Sequence, residues 1–211
     1  IGFHFISKSL ISEIYLLIWL LLMLFITAIY WNSKTINNYI ISSISIIGCI
    51  MLAQILPNLI PSVNPTGALI VILMNSMITA VVFFSMILGH WYLNVVSLPI
   101  KLLKHSVIVF SLFLSLRIFW DCIYFYITNY VDNYGINYNL WSFMFQFDGF
   151  LLAIAFFIGN IFPIILNILI WRTLKLQATQ SATGLLYVSV VSILFSDLIL
   201  KYYLLEYGFT I

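Results

Sequence analysis

Four ionisable residues lie inside long apolar runs of the sequence, where a charge is costly and therefore informative. Arg117 and Asp121 belong to one run, and Asp197 and Lys201 belong to another. An ionisable group at the centre of a bilayer costs at least about 2.5–3.5 kcal/mol on insertion scales. Residues of this kind either join helices as buried ion pairs or mark proton and ion pathways.

The spacing of these residues allows two arrangements. Within each run the acid and the base are four residues apart, so each helix could hold its own ion pair. If the two helices run parallel, Arg117 and Asp197 share a level, because both lie about 20 Å from the start of their helix at 1.5 Å per residue. The sequence then predicts a four-charge cluster that joins the two helices. Both arrangements stay open, and in either one the charges could be structural or could line a route for protons or ions.

A third apolar run is interrupted near its middle. Gly159 and Asn160 are followed by Pro163, and Asn167 lies one turn further on. Pro163 has no N–H group to donate to the carbonyl of Gly159, so a backbone acceptor is freed at depth. Broken membrane helices are tolerated where protein or a water-filled cavity satisfies the backbone. The pattern predicts a helix break, or a cavity, at Gly159, Asn160 and Pro163.

Two histidines lie at the ends of neighbouring apolar runs, where imidazole groups could bind a cofactor. His90 is followed by Trp91 and Tyr92, and His105 begins the next run. Facing imidazoles at one depth could ligate a b-type haem or contact a quinone headgroup, with Trp91 and Tyr92 lining the site. The alternative is that both histidines are structural anchors at the membrane interface. No spacing typical of a metal site occurs, so no metal is expected.

The composition decides the class of protein. Hydrophobic residues make up 64% of the 211-residue chain and charged residues only 7%. A soluble domain is about 45–50% apolar and about 25% charged, so soluble enzymes, disordered proteins and secreted disulfide scaffolds are excluded. A net charge of +2 is too weak for a nucleic-acid surface. The sequence predicts an integral membrane protein whose main surroundings are the lipid bilayer.

Six apolar runs approach or exceed the length of about 20 residues that a helix needs to cross a bilayer. They do not alternate as barrel strands would. The predicted spans are residues 14–31, 39–56, 67–89, 102–131, 149–171 and 184–205. We therefore expect an all-α polytopic membrane protein, a bundle of about six transmembrane helices with short loops, in which residues 1–211 form a single transmembrane domain.

Basic residues are unevenly divided between the two ends of these spans. The loops after spans one, three and five hold five of them, against one on the other side: Lys34, Lys101, Lys104, Arg172 and Lys175 against Lys8. Basic loops stay on the cytoplasmic side. This bias predicts that both termini lie outside, in a cytoplasmic or mitochondrial inner membrane.

Residues Ser115 to Phe119, with Arg117 at their centre, resemble the arginine-helix motif of the ATP synthase a subunit. That resemblance implies a lone arginine that serves proton translocation beside a rotor. The family usually continues with a small residue and asparagine, whereas Trp120 and Asp121 follow here. The match covers five residues and assigns no family.

The small aqueous surface favours a role inside the membrane. We expect a membrane-embedded subunit of a larger energy-transducing complex of the respiratory or electron-transport kind, in contact with other membrane subunits and with quinone or haem. The alternative is a small transporter or proton-translocating subunit that uses the intramembrane Arg/Asp cluster. An enzyme that acts on a lipid or cofactor is a third reading, and no catalytic residue is identified.

Overall fold

The computed structural model is helical in 84% of its residues, which confirms the all-α class. It describes residues 2–33, 35, 37–59, 64–95, 100–131 and 135–211, and within these the side chains of all but 2–13, 58 and 59. The long helices are α1 (Gly2–Tyr30), α2 (Asn38–Leu59), α3 (Pro65–Asn94), α4 (Lys101–Ile127) and α8 (Thr179–Tyr207). Between α4 and α8 lie strands β1 (Asn129–Val131) and β2 (Asn137–Asn139), the short helix α5 (Leu140–Phe143), and helices α6 (Phe150–Phe156) and α7 (Phe162–Lys175), which a π-helical turn (Phe157–Ile161) joins.

Five helical segments of the described chain are long and apolar enough to cross a membrane, which indicates a multi-pass membrane protein. They are α2, α3, α4, α8 and the continuous segment Phe150–Lys175. In α1, the described apolar part is the shorter stretch Ile14–Tyr30, so the sixth span stays a prediction. Lys8, Glu13, Lys34 and Asp132, on which the predicted orientation partly depends, lie outside the described side chains.

The helices differ from the predicted spans mainly at their ends. Most are longer than predicted, and α2 continues past Pro57 to Leu59 because a proline in the last turn removes only one hydrogen bond. The prediction that the fourth span reaches residue 131 is wrong. Thr128 is extended, and residues 129–131 pair in antiparallel register with 137–139, Asn129 opposite Asn139. This pairing satisfies backbone groups that the helix no longer serves.

Close contacts divide the chain into two compact units, residues 1–69 and 70–211. In the first unit, α1 packs on α2, where Trp19 Nε1 donates to the carbonyl of Ile44 at 3.3 Å. The indole also covers Gly48, since a Cβ there would lie 2.5 Å from Trp19 Nε1. The assignment of all 211 residues to one domain stays a prediction.

The second unit is a bundle in which α8 runs parallel to α4 and antiparallel to α6 and α7. Its core consists of three apolar layers in order along the bundle. The first holds Leu103, Ile170, Leu174 and Leu186, the second Phe110, Leu114, Val190 and Ile193, and the third Phe125, Leu152, Leu200 and Tyr203. We call the end of the first layer the basic end, because Lys101, Lys104, Arg172 and Lys175 lie there on α4 and α7.

Gly159 allows the π-helical turn to approach α8 closely. A Cβ on Gly159 would overlap the side chain of Ser196, whereas a Cβ on Gly184 would meet nothing within 4 Å. Both glycines are helical, so they form a matched pair for substitution.

We expect Gly159→Ala to destabilise the protein by about 1–3 kcal/mol, because crowding a packed interface forces neighbouring atoms to shift. Gly184→Ala should be neutral or stabilising by up to about 1 kcal/mol, because alanine has a higher helix propensity than glycine. Unfolding by SDS in mixed micelles would measure the free energy of unfolding of both variants. Equal stability of the two variants would contradict the close approach.

Candidate functional site

The polar interior of the second unit lies between its second and third apolar layers, where α4, the π-helical turn and α8 meet. Arg117 and Asp121 come from α4, Asn160 from the turn, and Ser196 from α8. Arg117 and Asp121 are each only 2% exposed, and Asn160 and Ser196 are also buried. We call these four residues the Arg117 site.

Arg117 is paired with the acid of its own helix. Its Nε lies 3.8 Å from Asp121 Oδ2, and its Nη2 donates to Ser196 Oγ at 3.4 Å. Both contacts are long for a buried guanidinium, which forms its strongest bonds with two parallel short contacts to one carboxylate. The arginine is therefore held near its partners without being saturated by them.

Asp121 is held by the amide of Asn160. Asn160 Nδ2 donates to Asp121 Oδ2 at 2.6 Å, the same oxygen that lies nearest to Arg117. The other carboxylate oxygen, Oδ1, is left without a protein partner. One oxygen of Asp121 thus positions the side chain, and the other is free to bind water or a proton.

The second ion pair lies within α8. Lys201 Nζ donates to Asp197 Oδ2 at 2.6 Å, and the lysine side chain is 48% exposed whereas that of Asp197 is 10% exposed. Among the described residues, no ion pair joins Asp197 to Arg117. The geometry is that of two ion pairs, each within a single helix. Ser196 and Asn160 both contact the pair on α4, through Arg117 and Asp121 respectively.

Several buried polar atoms around Arg117 have no hydrogen-bond partner. They are Arg117 Nε and Nη1, Asp121 Oδ1, Asn160 Oδ1 and Asp197 Oδ1. Buried polar atoms in proteins almost always have a partner, either protein or ordered water. Donors and acceptors are both present here, which is what a water needs to make two to four hydrogen bonds. The site therefore has unused hydrogen-bonding groups of both kinds, which a water or a small polar solute could bind.

The π-helical turn is tied to α8 by side-chain hydrogen bonds to its backbone. Phe162 N–H donates to the carbonyl of Phe157, five residues back, and in the same pattern Pro163 would be the donor to Ile158. Proline has no N–H group, and the hydroxyl of Ser192 on α8 donates to the Ile158 carbonyl instead. Ser196 donates to the carbonyl of Ala155 at 2.8 Å. The interruption predicted at Gly159, Asn160 and Pro163 lies at this turn, with the freed carbonyl one residue earlier than expected.

Sequence reasoning did not identify Ser192 and Ser196. A pattern that could have found them is the spacing of Ser189, Ser192 and Ser196, which places small polar residues on one face of α8. Small residues at such spacing are typical of close helix packing in membranes.

The histidines predicted to contact haem or quinone both lie at the surface. His90 Nδ1 is 3.5 Å from the hydroxyl of Tyr187, and His105 Nδ1 donates to the carbonyl of Lys101 at 2.7 Å. Trp91 is exposed and Tyr92 is buried in the first apolar layer. Among the described residues no group of three or more His, Cys, Asp or Glu side chains could hold a metal ion.

An apolar groove of about 850 Å³ runs along the outer side of the π-helical turn, between α7 and α8. Phe157, Ile161 and Ile165 form one wall, and Tyr187, Val191 and Phe195 the other. Tyr187 connects this groove to His90.

The chain matches no protein-family model, no curated protein and no solved structure.

The distances predict that Arg117 couples more strongly to Asp121 than to Asp197. In double-mutant cycles built from Arg117→Gln with Asp121→Asn or Asp197→Asn, the first pair should show about 1–3 kcal/mol of coupling in the free energy of unfolding and the second pair less than about 0.5 kcal/mol. SDS unfolding provides the measurement. Stronger coupling between Arg117 and Asp197 would instead establish the four-charge cluster.

Proposed function

We propose that this chain is a six-span protein of a cytoplasmic or mitochondrial inner membrane that conducts protons through the Arg117 site. The supporting observation is the set of buried polar atoms without partners around Arg117 and Asp121. A buried ion pair with a purely structural role would be most stable if all of its groups were hydrogen-bonded, because a partly satisfied buried network is costly. A pathway needs sites that water can fill and leave.

The charges of the site favour protons over other ions. Arg117 is balanced by Asp121, and Asp197 by Lys201, so the four groups together carry no net charge. A metal cation would be repelled by the guanidinium, and an anion would compete with two carboxylates. A proton can bind the free Oδ1 of Asp121 and leave again without an ion having to lose its hydration shell.

Each group has a distinct role in this scheme. Asp121 accepts a proton from water at Oδ1 and returns it to water on the other side of the site. Arg117 prevents a continuous file of water from carrying protons past Asp121 unbound, because a fixed positive charge repels hydronium. Asn160 positions Asp121, and Lys201 with Asp197 leads towards the exposed surface of α8.

A second candidate function is supported by the groove beside α8. Tyr187 lines it and lies 3.5 Å from His90 Nδ1, so a hydrogen-bonding pair adjoins a surface suited to an isoprenoid chain. This arrangement agrees with a subunit of an energy-transducing complex that contacts quinone. The b-type haem remains a sequence-based expectation, for which the histidine geometry adds no support.

Proton flux through the purified protein tests the first proposal. In proteoliposomes with an internal pH dye and a potassium diffusion potential, we expect wild-type flux above that of protein-free vesicles and at least a tenfold reduction in Asp121→Asn. Glu206→Gln, at an exposed acid near the end of α8, is the matched control and should conduct normally.

Asp121→Asn leaves a buried arginine unpaired, and breaking a buried pair costs about 3–5 kcal/mol. The double variant Arg117→Gln/Asp121→Asn removes both charges and should recover much of this stability while still failing to conduct. Wild-type vesicles that conduct no better than empty ones, or a double variant that conducts normally, would contradict the proposal.

The quinone candidate makes a separate prediction. Lipid extracts of protein purified in mild detergent should contain an isoprenoid quinone in near-stoichiometric amount, and Tyr187→Phe should lower that amount severalfold, since it removes the hydroxyl. Val191→Ala alters the apolar wall alone and should have a smaller effect. Extracts without quinone would exclude this candidate.

A further inference from the structure

We propose that Asn167 and Ser111 form a second water-binding station, which connects the Arg117 site to the basic end of the bundle. The inference rests on the proton route proposed above and specifies how one side of the membrane reaches it. Asn167 belongs to α7 and Ser111 to α4. The Arg117 site draws on the same region, because α4 also supplies Asp121 and the π-helical turn that precedes α7 supplies Asn160.

The amide of Asn167 is buried and incompletely bonded. The residue is 7% exposed, its Oδ1 accepts from Ser111 Oγ at 2.9 Å, and its Nδ2 has no partner. Ser111 Oγ also lies 2.9 Å from the carbonyl of Val107. A hydroxyl has one proton, so it can donate to only one of these two acceptors at a time.

Either orientation of this amide leaves a polar atom for water. If Asn167 is turned so that Nδ2 donates to Ser111 Oγ, the serine can donate to Val107, and Oδ1 then becomes the atom without a protein partner. In both cases the buried amide needs one more hydrogen bond. A water molecule between α4 and α7 supplies it.

The station lies between the basic end and the Arg117 site. Asn167 precedes Arg172 by five residues and follows Asn160 by seven, which correspond to about 7.5 Å and about 10.5 Å along a helix. On α4, Ser111 precedes Arg117 by six residues, about 9 Å. Both asparagines face α4, because one contacts Ser111 and the other contacts Asp121.

An apolar layer separates the two polar levels. Leu114 and Ile193 are buried in the middle cluster of the bundle, at the level between Ser111 and Arg117. Hydrophobic constrictions of this kind interrupt water and thereby gate a conducting path. Water therefore resides at Asn167 and crosses to Asp121 only when this layer admits it.

Cysteine accessibility tests the station independently of flux. In a background with Cys49→Ser and Cys122→Ser, Asn167→Cys should react with a membrane-impermeant methanethiosulfonate added on the Arg172 side, at least tenfold faster than when it is added on the other side. Thiols react as thiolates, which form only where water reaches. Ile168→Cys, at a neighbouring exposed position on α7, is the control and should react at least tenfold more slowly. Equal rates for the two cysteines would overturn the proposal.

Flux measurements connect the station to the route. Asn167→Leu should lower proton flux about tenfold without a change in melting temperature, and Asn167→Ser, which keeps a hydrogen-bonding group, should retain most of it. Normal flux in Asn167→Leu would overturn the station and leave the Arg117 site as the conductor. Labelling of Asn167→Cys in a protein whose wild type carries no flux would overturn the proton route and leave the water site.

Discussion

A guanidinium surrounded by protein in the interior of an apolar helix bundle is the constraint on which the second unit depends. Arg117 cannot reach bulk water, so α4, α8 and the π-helical turn must bring their polar groups to it. They do so only in part: Asp121 and Ser196 approach at 3.8 and 3.4 Å, and Nε and Nη1 have no protein partner. The bundle is arranged around a charge that it neutralises but does not fully bond.

The π-helical turn and α8 are joined by both hydrogen bonds and close packing. Pro163 removes the donor that Ile158 would have had, and Ser192 replaces it from the neighbouring helix. Gly159 leaves the space into which Ser196 fits, and Ser196 bonds both Arg117 and the carbonyl of Ala155. A shift of α8 along this contact would change the backbone bonds and the arginine contact together. The helix break and the buried charge are thus parts of the same packing arrangement.

The sequence predicted the positions of the helices better than the side-chain contacts between them. Long apolar runs located the helices, because a bilayer requires uninterrupted hydrophobic length, and Pro163 located the break. The predicted end of α4 was wrong because Thr128 to Val131 include neither proline nor glycine to stop a helix, whereas residues 129–131 form a strand through their pairing with residues 137–139. The contacts of Asn160 with Asp121 and of Ser196 with Arg117 depend on the rotation of each helix about its axis. A nearly uniformly apolar helix carries little periodic signal for that rotation.

Polar and apolar levels alternate along the bundle, and this order bears on the proton route that we propose. Going from the basic end, apolar packing around Leu103 is followed by the polar pair of Ser111 and Asn167. The apolar layer around Leu114 comes next and separates this pair from the Arg117 site. The aromatic cluster around Phe125 and Tyr203 lies beyond that site. Two polar levels separated by an apolar one can each hold water without joining into a continuous file. For the proton route that we propose, this order means that a proton would pass in steps while the apolar layer maintains a barrier between the two polar levels.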